Sequence, residues 1–479
     1  MREFCRKERD TMRKLITLML LVLSVFLCGC PRPTKYARPE MPVPSAWPDG
    51  AANSSVAQDA PRAVDVKWQE FFADNRLRSV IELALANNRD LRAAALNIER
   101  ARALYQIQSA RRNPVIDASA SVEAYRIPEN LTGDGHSQTV TVYTVGLGTA
   151  SWELDFFGRI RSLQSRALEQ YLATEQARSA TQISLVAAVA YSYLALATDH
   201  ENLRLAQSTL DTQQSFYDLI SRTRDLGMAN DLDVRQAQSQ VDVAQVDIAR
   251  YSGQIALDEN ALSLVVGAPV AADLLSDNLD AAAAMKDVSA GLPSDILLRR
   301  PDILTAEHQL MAASANIGAA RAAFFPRITL TAAAGITSGD LGNLFKPAAG
   351  TWQFIPQISI PIFDSGARKA NYEVAQLERD IAIADYEKAI QTAFREVSDA
   401  LSQRSALLAQ QDALQSLVDT LAETQRLSEA RYKGGIDSYL SVLIAQRSLY
   451  AAQQRLVGLR LARLSNLVTL YKVLGGGVT

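Results

Sequence analysis

Two long segments of this chain contain neither glycine nor proline, and they constrain the fold more than any other feature. The segments run from about residue 159 to 226 and from 367 to 433. Glycine and proline are the residues that most disfavour helix interiors, so each segment predicts one continuous helix of roughly 100 Å at 1.5 Å per residue. A single compact domain cannot bury helices of this length. They predict a coiled coil or a barrel of helices, in which each helix has partners along its whole length.

The chain also contains two copies of one unit, which we place at 66–285 and 286–479. Similar sequence recurs at an offset of 212 residues near the start of each copy and of 208 residues later, so one four-residue length change accounts for the matches. Each copy is expected to contain a first helix, two strands, the long helix and a returning helix. The matched pairs are Asp90 with Asp302, Pro114 with Pro326, Gly158 with Gly366, and Gly227 with Gly435.

Four residues mark the predicted changes from helix to strand and back. Pro114 and Pro326 are expected to end the first helix of each repeat, at about 88–112 and 301–323, because proline cannot continue a helix. Gly158 and Gly366 stand between the second strand and the long helix of each repeat, where we expect a turn.

The N-terminus predicts export and attachment to lipid. A charged pair precedes an apolar run from Leu15 to Leu27, which has the charge and length of a secretory signal. The run ends in Leu-Cys-Gly-Cys, which looks like a bacterial lipobox, so Cys30 is the predicted lipidation site and 1–29 the signal peptide. An ordinary signal peptide with chance cysteines is the alternative. Residues 30–65 are rich in Pro, Ala and Ser and predict a lipidated tether.

The segments between the helices alternate between apolar and polar residues, as strands of an outer membrane barrel do. A half-buried soluble sheet alternates in the same way. The export signal and the long helices favour the barrel. Four strands per chain cannot close a barrel, and open edges are not tolerated in hydrocarbon, so two, three or four copies must share it. In the first strand Ile116, Ala118, Ala120, Val122 and Ala124 share one face, and Asp117, Ser119, Ser121 and Glu123 share the other.

Composition and motifs argue against several other functions. The formal net charge of −3 disfavours nucleic-acid binding. All three cysteines lie in the first 30 residues, and His200 and His308 stand singly on helices, so no metal or cofactor is expected. No P-loop, HExxH or nucleophile-elbow motif occurs, and the chain is not expected to be an enzyme. No apolar run after the signal reaches 18 residues, so no membrane-spanning helix is expected.

A set of motifs in order resembles the TolC-like outer membrane factors, specifically the lipidated NodT/OprM-type branch that serves resistance-nodulation-division (RND) efflux pumps. No one motif is specific, but the set spans nearly the whole mature chain. The motifs include YARPEMPVPSAW (36–47), WQEFF (68–72), WELDFFGRIR (152–161), RRPDI (299–303), AAFFPRITL (322–330), PIFDSGARKA (361–370), ARYKGGIDSYLSVLIAQRSLY (430–450) and LYKVLGGG (470–477).

The resemblance implies a homotrimer with a 12-stranded barrel in outer membrane lipid and a helical barrel in the periplasm. The expected fold class is therefore mainly α with membrane β, from an internally duplicated unit. The resemblance also implies a passive channel that works with a periplasmic adaptor and an inner-membrane RND pump. A channel for type I protein secretion is a close alternative, and a lipid-anchored periplasmic spacer without a pore is a structural one.

The turns at 224–233 and 431–440 are the predicted periplasmic tips, because they join each long helix to its return helix. The resemblance implies that acidic residues near the tip narrow the closed pore and attract cations, and that Arg and Tyr side chains hold neighbouring helices shut. Plain N-caps are the alternative for Asp231 and Asp437. Gly227, Gly434 and Gly435 are expected to form turns with positive φ. The candidate gate residues are Asp437, Asp231, Asp233, Arg431 and Tyr432.

Two loops, 127–138 and 337–350, lie between strands that we expect to pair. Both are predicted to be hairpin tips that face outward from the membrane.

Overall fold

A computed structural model describes residues 36–47, 61–133, 135–282, 284–289 and 297–477 of the chain. The predicted signal peptide (1–29) and the predicted lipidation site Cys30 lie outside the described residues, as does much of the tether.

Over the described ranges the chain is mainly helical and carries one four-stranded sheet. The two long helices each have 67 residues, and they begin and end within a residue of the predicted bounds. The first helix, two strands, long helix and return helix predicted for the first repeat have counterparts in the second, in the same order. The additional helix Asn75–Asn87 has no counterpart among the described residues. The helices are α1 (Asn75–Asn87), α2 (Arg89–Ala110), α3 (Arg159–Asp225), α4 (Asp231–Val266), α5 (Pro301–Ala322), α6 (Ala367–Lys433) and α7 (Tyr439–Val473), and the strands are β1 (Asp117–Ile127), β2 (Gln138–Glu153), β3 (Arg327–Ser338) and β4 (Gly350–Ser359).

The four strands pair in chain order, and every pair is antiparallel. The register places the apolar residues of neighbouring strands on one face, for example Leu147 opposite Ala334, and Ala332 opposite Phe354. Among the described residues, β1 and β4 each have a neighbouring strand on one side only, and β4 is exposed along its whole length. Unpaired strand edges of this length need a partner, because they leave backbone N–H and C=O groups without hydrogen bonds.

The first helix of each repeat ends close to the predicted bound. Helices α2 and α5 end at Ala110 and Ala322, four residues before Pro114 and Pro326. Proline has no N–H to donate to the carbonyl four residues earlier, so these positions are consistent with proline ending each helix. Pro326 directly precedes β3.

The turns from strand to long helix occur where predicted. Gly158 and Gly366 have φ of 76° and 88°, a left-handed conformation that glycine adopts without a Cβ penalty. Asp155 and Asp364 accept hydrogen bonds from backbone N–H groups at the start of α3 and α6, which satisfies donors that have no partner inside a helix.

Both predicted loops lie between paired strands: 127–138 joins β1 to β2, and 337–350 joins β3 to β4. The direction they face in a membrane stays a prediction.

Two compact units divide the chain, and each takes residues from both repeats. The first unit holds all four strands and, within the described residues, spans 36–39, 100–172 and 308–384. The second unit is helical and spans the described parts of 40–99, 173–307 and 385–479.

Within the described residues, one helix contains a window long and apolar enough to cross a membrane, whereas the sequence analysis expected none. The window lies in α3, and 56% of it is buried inside the chain. Val189, Ala190 and Leu194 in this helix have no exposed surface. Such burial is typical of a packed core helix.

The C-terminal glycines have a packing role that the sequence analysis did not identify. Tyr471 stacks on Phe71 with 4.0 Å between ring centroids, and its hydroxyl donates to the Val66 carbonyl at 2.7 Å. Gly476 lies against this ring so closely that an added Cβ would stand 2.2 Å from the Tyr471 Cε2 atom. The absence of a side chain at Gly476 therefore allows the chain end to pack over the tyrosine.

Arg300, the second arginine of the RRPDI motif, connects three helices. Its guanidinium is buried and donates to the Val473 carbonyl at 2.7 Å, to Asp302 at 2.7 Å and to Glu396 at 2.8 Å. One side chain thus ties the start of α5 to α6 and to the end of α7.

Part of the predicted tether packs against the folded chain. Residues 36–47 form neither helix nor strand, but Trp47 is buried and its ring stacks on Phe394 of α6 at 4.9 Å.

Candidate functional site at the two helical turns

The turns α3–α4 and α6–α7 close with the same hydrogen bonds. The Met228 N–H donates to the Thr223 carbonyl at 3.0 Å, and the Ile436 N–H donates to the Arg431 carbonyl at 2.9 Å. Each is the six-to-one bond of a Schellman motif, which uses carbonyls that a helix end would otherwise leave unsatisfied. Gly227 and Gly435 occupy the left-handed position of the motif, with φ of 74° and 69°. The predicted positive φ is confirmed at both.

Gly434 does not share this conformation, so the prediction of positive φ was wrong there. Its N–H still donates to the Ala430 carbonyl at 3.0 Å, as in the last turn of a helix. An added Cβ at Gly434 would stand 3.4 Å from that carbonyl oxygen, which is an ordinary contact. The motif requires a single glycine at each turn, and Gly435 fills that place.

The N-cap interpretation of Asp231 and Asp437 was also wrong. Asn230 caps α4: its side chain accepts from the Asp233 N–H at 2.9 Å, and Asp233 completes a capping box. Asp231 is the first helical residue. The N-cap of α7 is Ser438, whose side chain makes no capping hydrogen bond.

An arginine and an aspartate form an ion pair across each turn. Arg431 donates through Nε and Nη2 to the two Asp437 carboxylate oxygens at 2.6 and 2.9 Å, a bidentate arrangement. The Arg431 guanidinium holds the pKa of Asp437 below its usual value. Arg224 lies 3.5 Å from Asp231 in a looser contact, and the Asp231 side chain is 87% exposed. Asp231 is therefore the more accessible of the two paired carboxylates.

Sequence reasoning missed Arg224, although a signal was present. Both turn sequences, RDLGMANDLD and RYKGGIDSYL, begin with arginine and place an aspartate beyond the glycine. A comparison of the two turns would have found the pair.

An aromatic cluster brings the two turns together. Tyr432 packs against Tyr439, with 5.9 Å between ring centroids. Burial, together with the nearby Tyr432 and Asp233, raises the pKa of Tyr439 to about 12. Residues from both repeats share this cluster, so one packed group holds both turns. Its members are Phe216, Ile220, Ala237, Tyr439, Val442 and Leu443, with Tyr217, Ala229, Val234 and Tyr432 packed at its margin.

The same turns expose apolar side chains, a second feature that sequence reasoning missed. We call these residues the apolar rim. Exposed apolar groups concentrated at one place indicate a surface that another molecule covers. The rim consists of Leu226, Met228, Leu232, Ile436, Leu440 and Ile444.

The sequence model of the outer membrane efflux protein family matches residues 80–268 and 292–476, one match in each repeat. These two stretches include both turns and all four strands.

Proteins of efflux systems match this chain over almost its full length. The chain is 46% identical over 460 residues to a toluene efflux pump outer membrane protein, TtgC of Pseudomonas putida, covering 96% of this chain and 95% of that protein. It is 40% identical over 464 residues to the cation efflux system protein CusC of Escherichia coli O6:H1, covering 96% and 98%.

The fold is also similar to a solved structure. The open state of the Neisseria gonorrhoeae MtrE outer membrane channel superposes with a TM-score of 0.86 at 38% sequence identity. The alignment covers 94% of this chain and 99% of that chain.

Proposed function

This chain belongs to the outer membrane efflux protein family, and from that premise we propose that it is the outer membrane channel of a tripartite RND-type efflux system. It conducts small solutes passively from the periplasm to the exterior. An inner-membrane pump supplies the energy, and a periplasmic adaptor joins the pump to the channel. The names of its relatives include efflux pump proteins for toluene and for cations, so we assign the selection of cargo to the pump.

The open sheet is the observation that carries this proposal. In the part of the chain that the structure describes, strands β1 and β4 each have one unpaired edge, and one face of the sheet is apolar. In a bilayer both edges must pair, because unsatisfied backbone groups cost several kcal/mol each in hydrocarbon. We propose that three copies join edge to edge into one barrel of 12 strands.

The apolar rim supports the placement of the adaptor. Six apolar side chains surround two turns that are held together by one aromatic cluster. An apolar surface on preorganised turns suits a protein partner, since less conformational entropy is lost when the partner covers it. We propose that the adaptor docks on the apolar rim, and that Gly227, Gly434 and Gly435 shape its outline.

The ion pairs at the turns suggest how the duct closes. We propose that the pair Arg431–Asp437 and the cluster around Tyr432 hold each α6–α7 turn in the closed position. Asp233 helps by capping α4, and the exposed carboxylate of Asp231 attracts cations to the opening. Charge-assisted bidentate bonds are stronger than neutral ones, so loss of one partner should loosen the turn.

The proposed role of Arg431 in closing the duct can be tested against a control arginine, Arg426, on the same helix α6. Arg431→Ala removes the pair across the turn, and we expect larger single-channel conductance. Arg426 makes an equally bidentate pair with Glu423 inside α6, at 2.8 and 2.6 Å, and does not cross the turn. Arg426→Ala should leave the conductance unchanged. Equal effects from both variants would show that the turn pair does not hold the duct closed.

We propose that Cys30 carries the lipid anchor, that 1–29 is removed, and that 30–65 connects the anchor to the two repeats, 66–285 and 286–479. Mass spectrometry of the purified mature protein should find an acylated N-terminal Cys30. An unmodified N-terminus elsewhere in the chain would contradict this assignment.

Conductance across a planar bilayer tests the channel itself. Detergent-solubilised wild-type protein should produce discrete openings, and the same protein after heat denaturation should not. Intact protein that inserts without openings would refute the channel and favour a periplasmic spacer.

A further inference from the structure

A cavity of about 310 Å³ lies in the first unit, beneath the ends of β2 and β4 and the start of β3. This volume is at the lower end of the range of small-molecule pockets, which is roughly 300–1,000 Å³. Its ionic lining groups are Arg159, Arg327 and Arg368 with Glu153 and Asp155, so positive charge exceeds negative charge by one.

The carboxylates of the cavity are already engaged. Glu153 has a side chain that is 10% exposed, and it accepts two bonds from Arg159, at 2.8 and 2.7 Å. Arg327 Nε lies 2.8 Å from the same carboxylate. Asp155 accepts from the backbone N–H groups of Ile160 and Arg161. The lining acids therefore have little capacity left for another cation.

Two of the guanidiniums keep their terminal nitrogens available. Arg327 faces Glu153 through Nε, and Arg368 lies 3.0 Å from Asp364 through Nε. Among the described residues, neither side chain makes a hydrogen bond through its terminal nitrogens. Those nitrogens form the planar fork that binds carboxylate or phosphate oxygens.

The strand register places Arg327 and Glu153 on the polar face of the sheet. Arg327 pairs with Ser359, and Glu153 pairs with Thr329, while Ile328 and Ile358 occupy the opposite face. In a membrane barrel the apolar face contacts lipid and the polar face lines the water-filled interior. Arg327 therefore lies on the interior side of the barrel, a placement that rests on the proposed channel, and Arg368 lines the same cavity from α6.

The cavity also has an aromatic wall. Phe157 and Phe325 both line it, and their rings stack with 5.0 Å between centroids. A ligand that suits the whole lining combines an anionic group with a flat apolar body.

We propose that this cavity is a binding site for small aromatic carboxylates dissolved in the channel interior. The carboxylate binds the terminal nitrogens of Arg327 and Arg368, and the ring packs against Phe157 and Phe325.

Calorimetry on the detergent-solubilised full-length protein tests the site with 2-naphthoate as the probe and neutral 2-naphthamide as its matched analogue. Charge-assisted hydrogen bonds distinguish the two probes, so naphthoate should bind at least tenfold more tightly. Equal affinities would overturn the proposal. Binding does not require conductance, so a failed site and a failed channel give separable results.

Variants locate the binding within the chain. Arg368→Gln should weaken naphthoate binding at least fivefold, and Arg327→Gln should do the same. Arg379 lies on α6 in the same unit and pairs with Asp380 outside the cavity, so Arg379→Gln is the control with the same change of charge. If all three variants bind naphthoate as the wild type does, the site is elsewhere and the proposal is wrong.

Added phospholipid separates a dissolved ligand from a lipid headgroup. Anionic and zwitterionic phospholipids should both leave naphthoate binding unchanged. Displacement by the anionic lipid alone would show that the guanidiniums bind a membrane headgroup, and it would overturn the proposal of a dissolved solute.

Discussion

Replacing each of two adjacent glycines by alanine tests whether the α6–α7 turn is built as described. Gly435 has φ of 69°, and an added Cβ there would meet no atom within 4 Å, so the cost of Gly435→Ala is conformational. A left-handed conformation costs a residue with a Cβ about 1–2 kcal/mol. Gly434 is helical in its hydrogen bonding, and alanine is favoured over glycine in a helix by up to about 1 kcal/mol. The free energies that stabilise the turn should therefore differ by about 1–3 kcal/mol between the two variants. Gly435→Ala should lower this free energy and Gly434→Ala should raise it.

Hydrogen exchange at the Ile436 amide measures this difference locally, because that N–H donates to the Arg431 carbonyl across the turn. If the free energy of opening the turn falls by about 1–2 kcal/mol in Gly435→Ala, the Ile436 amide should exchange about 5–30 times faster than in the wild type. Gly434→Ala should exchange at the wild-type rate or more slowly. Gly227→Ala should reproduce the Gly435 result at the Met228 amide of the first repeat. Faster exchange in Gly434→Ala than in Gly435→Ala would refute the assignment of the left-handed position.

Two further predictions concern the helical unit. Burial and then the neighbouring Asp258 raise the pKa of Asp199 from 3.8 to about 6, so the folded chain holds a proton that the unfolded chain releases. The stability from this proton is present below about pH 4 and is lost as the pH rises through 6. Asp199→Asn should therefore reduce the fall of the melting temperature between about pH 4 and 6. A variant whose melting temperature depends on pH as the wild type's does would contradict the raised pKa. Gly476→Ala places a Cβ 2.2 Å from Tyr471 and should cost about 1–3 kcal/mol by overpacking. Gly458→Ala, on α7 with open space around its Cβ, is the control for chemical denaturation, and equal losses from both would refute the contact.

The sequence predicted the long elements well because their signals are local. The absence of glycine and proline predicted the bounds of α3 and α6 to within a residue. Strict alternation predicted β1, β3 and β4, whereas the sequence of β2 alternates less cleanly. The repeat added a check, since each element had to appear twice. Gly227 and Gly435 were identifiable as turn residues because they match each other and follow long helical segments.

Features that depend on contacts distant in the sequence were missed. The burial of Trp47 against Phe394 joins residues far apart in the sequence, and no local pattern indicates it. The packing of Gly476 on Tyr471 depends on the fold of the chain end. At the turns, Asp437 was a candidate gate residue with an N-cap as the alternative, and the sequence did not show that its partner is Arg431 on the other side of the turn.

The number of chains in a conducting particle tests whether copies of this chain share one barrel. Native mass spectrometry of the detergent-solubilised protein, on the preparation that produces openings in a bilayer, counts the chains without assuming a shape. We expect three chains per particle, whose four-stranded sheets together give 12 strands. A conducting particle with one, two or four chains would contradict the shared 12-stranded barrel.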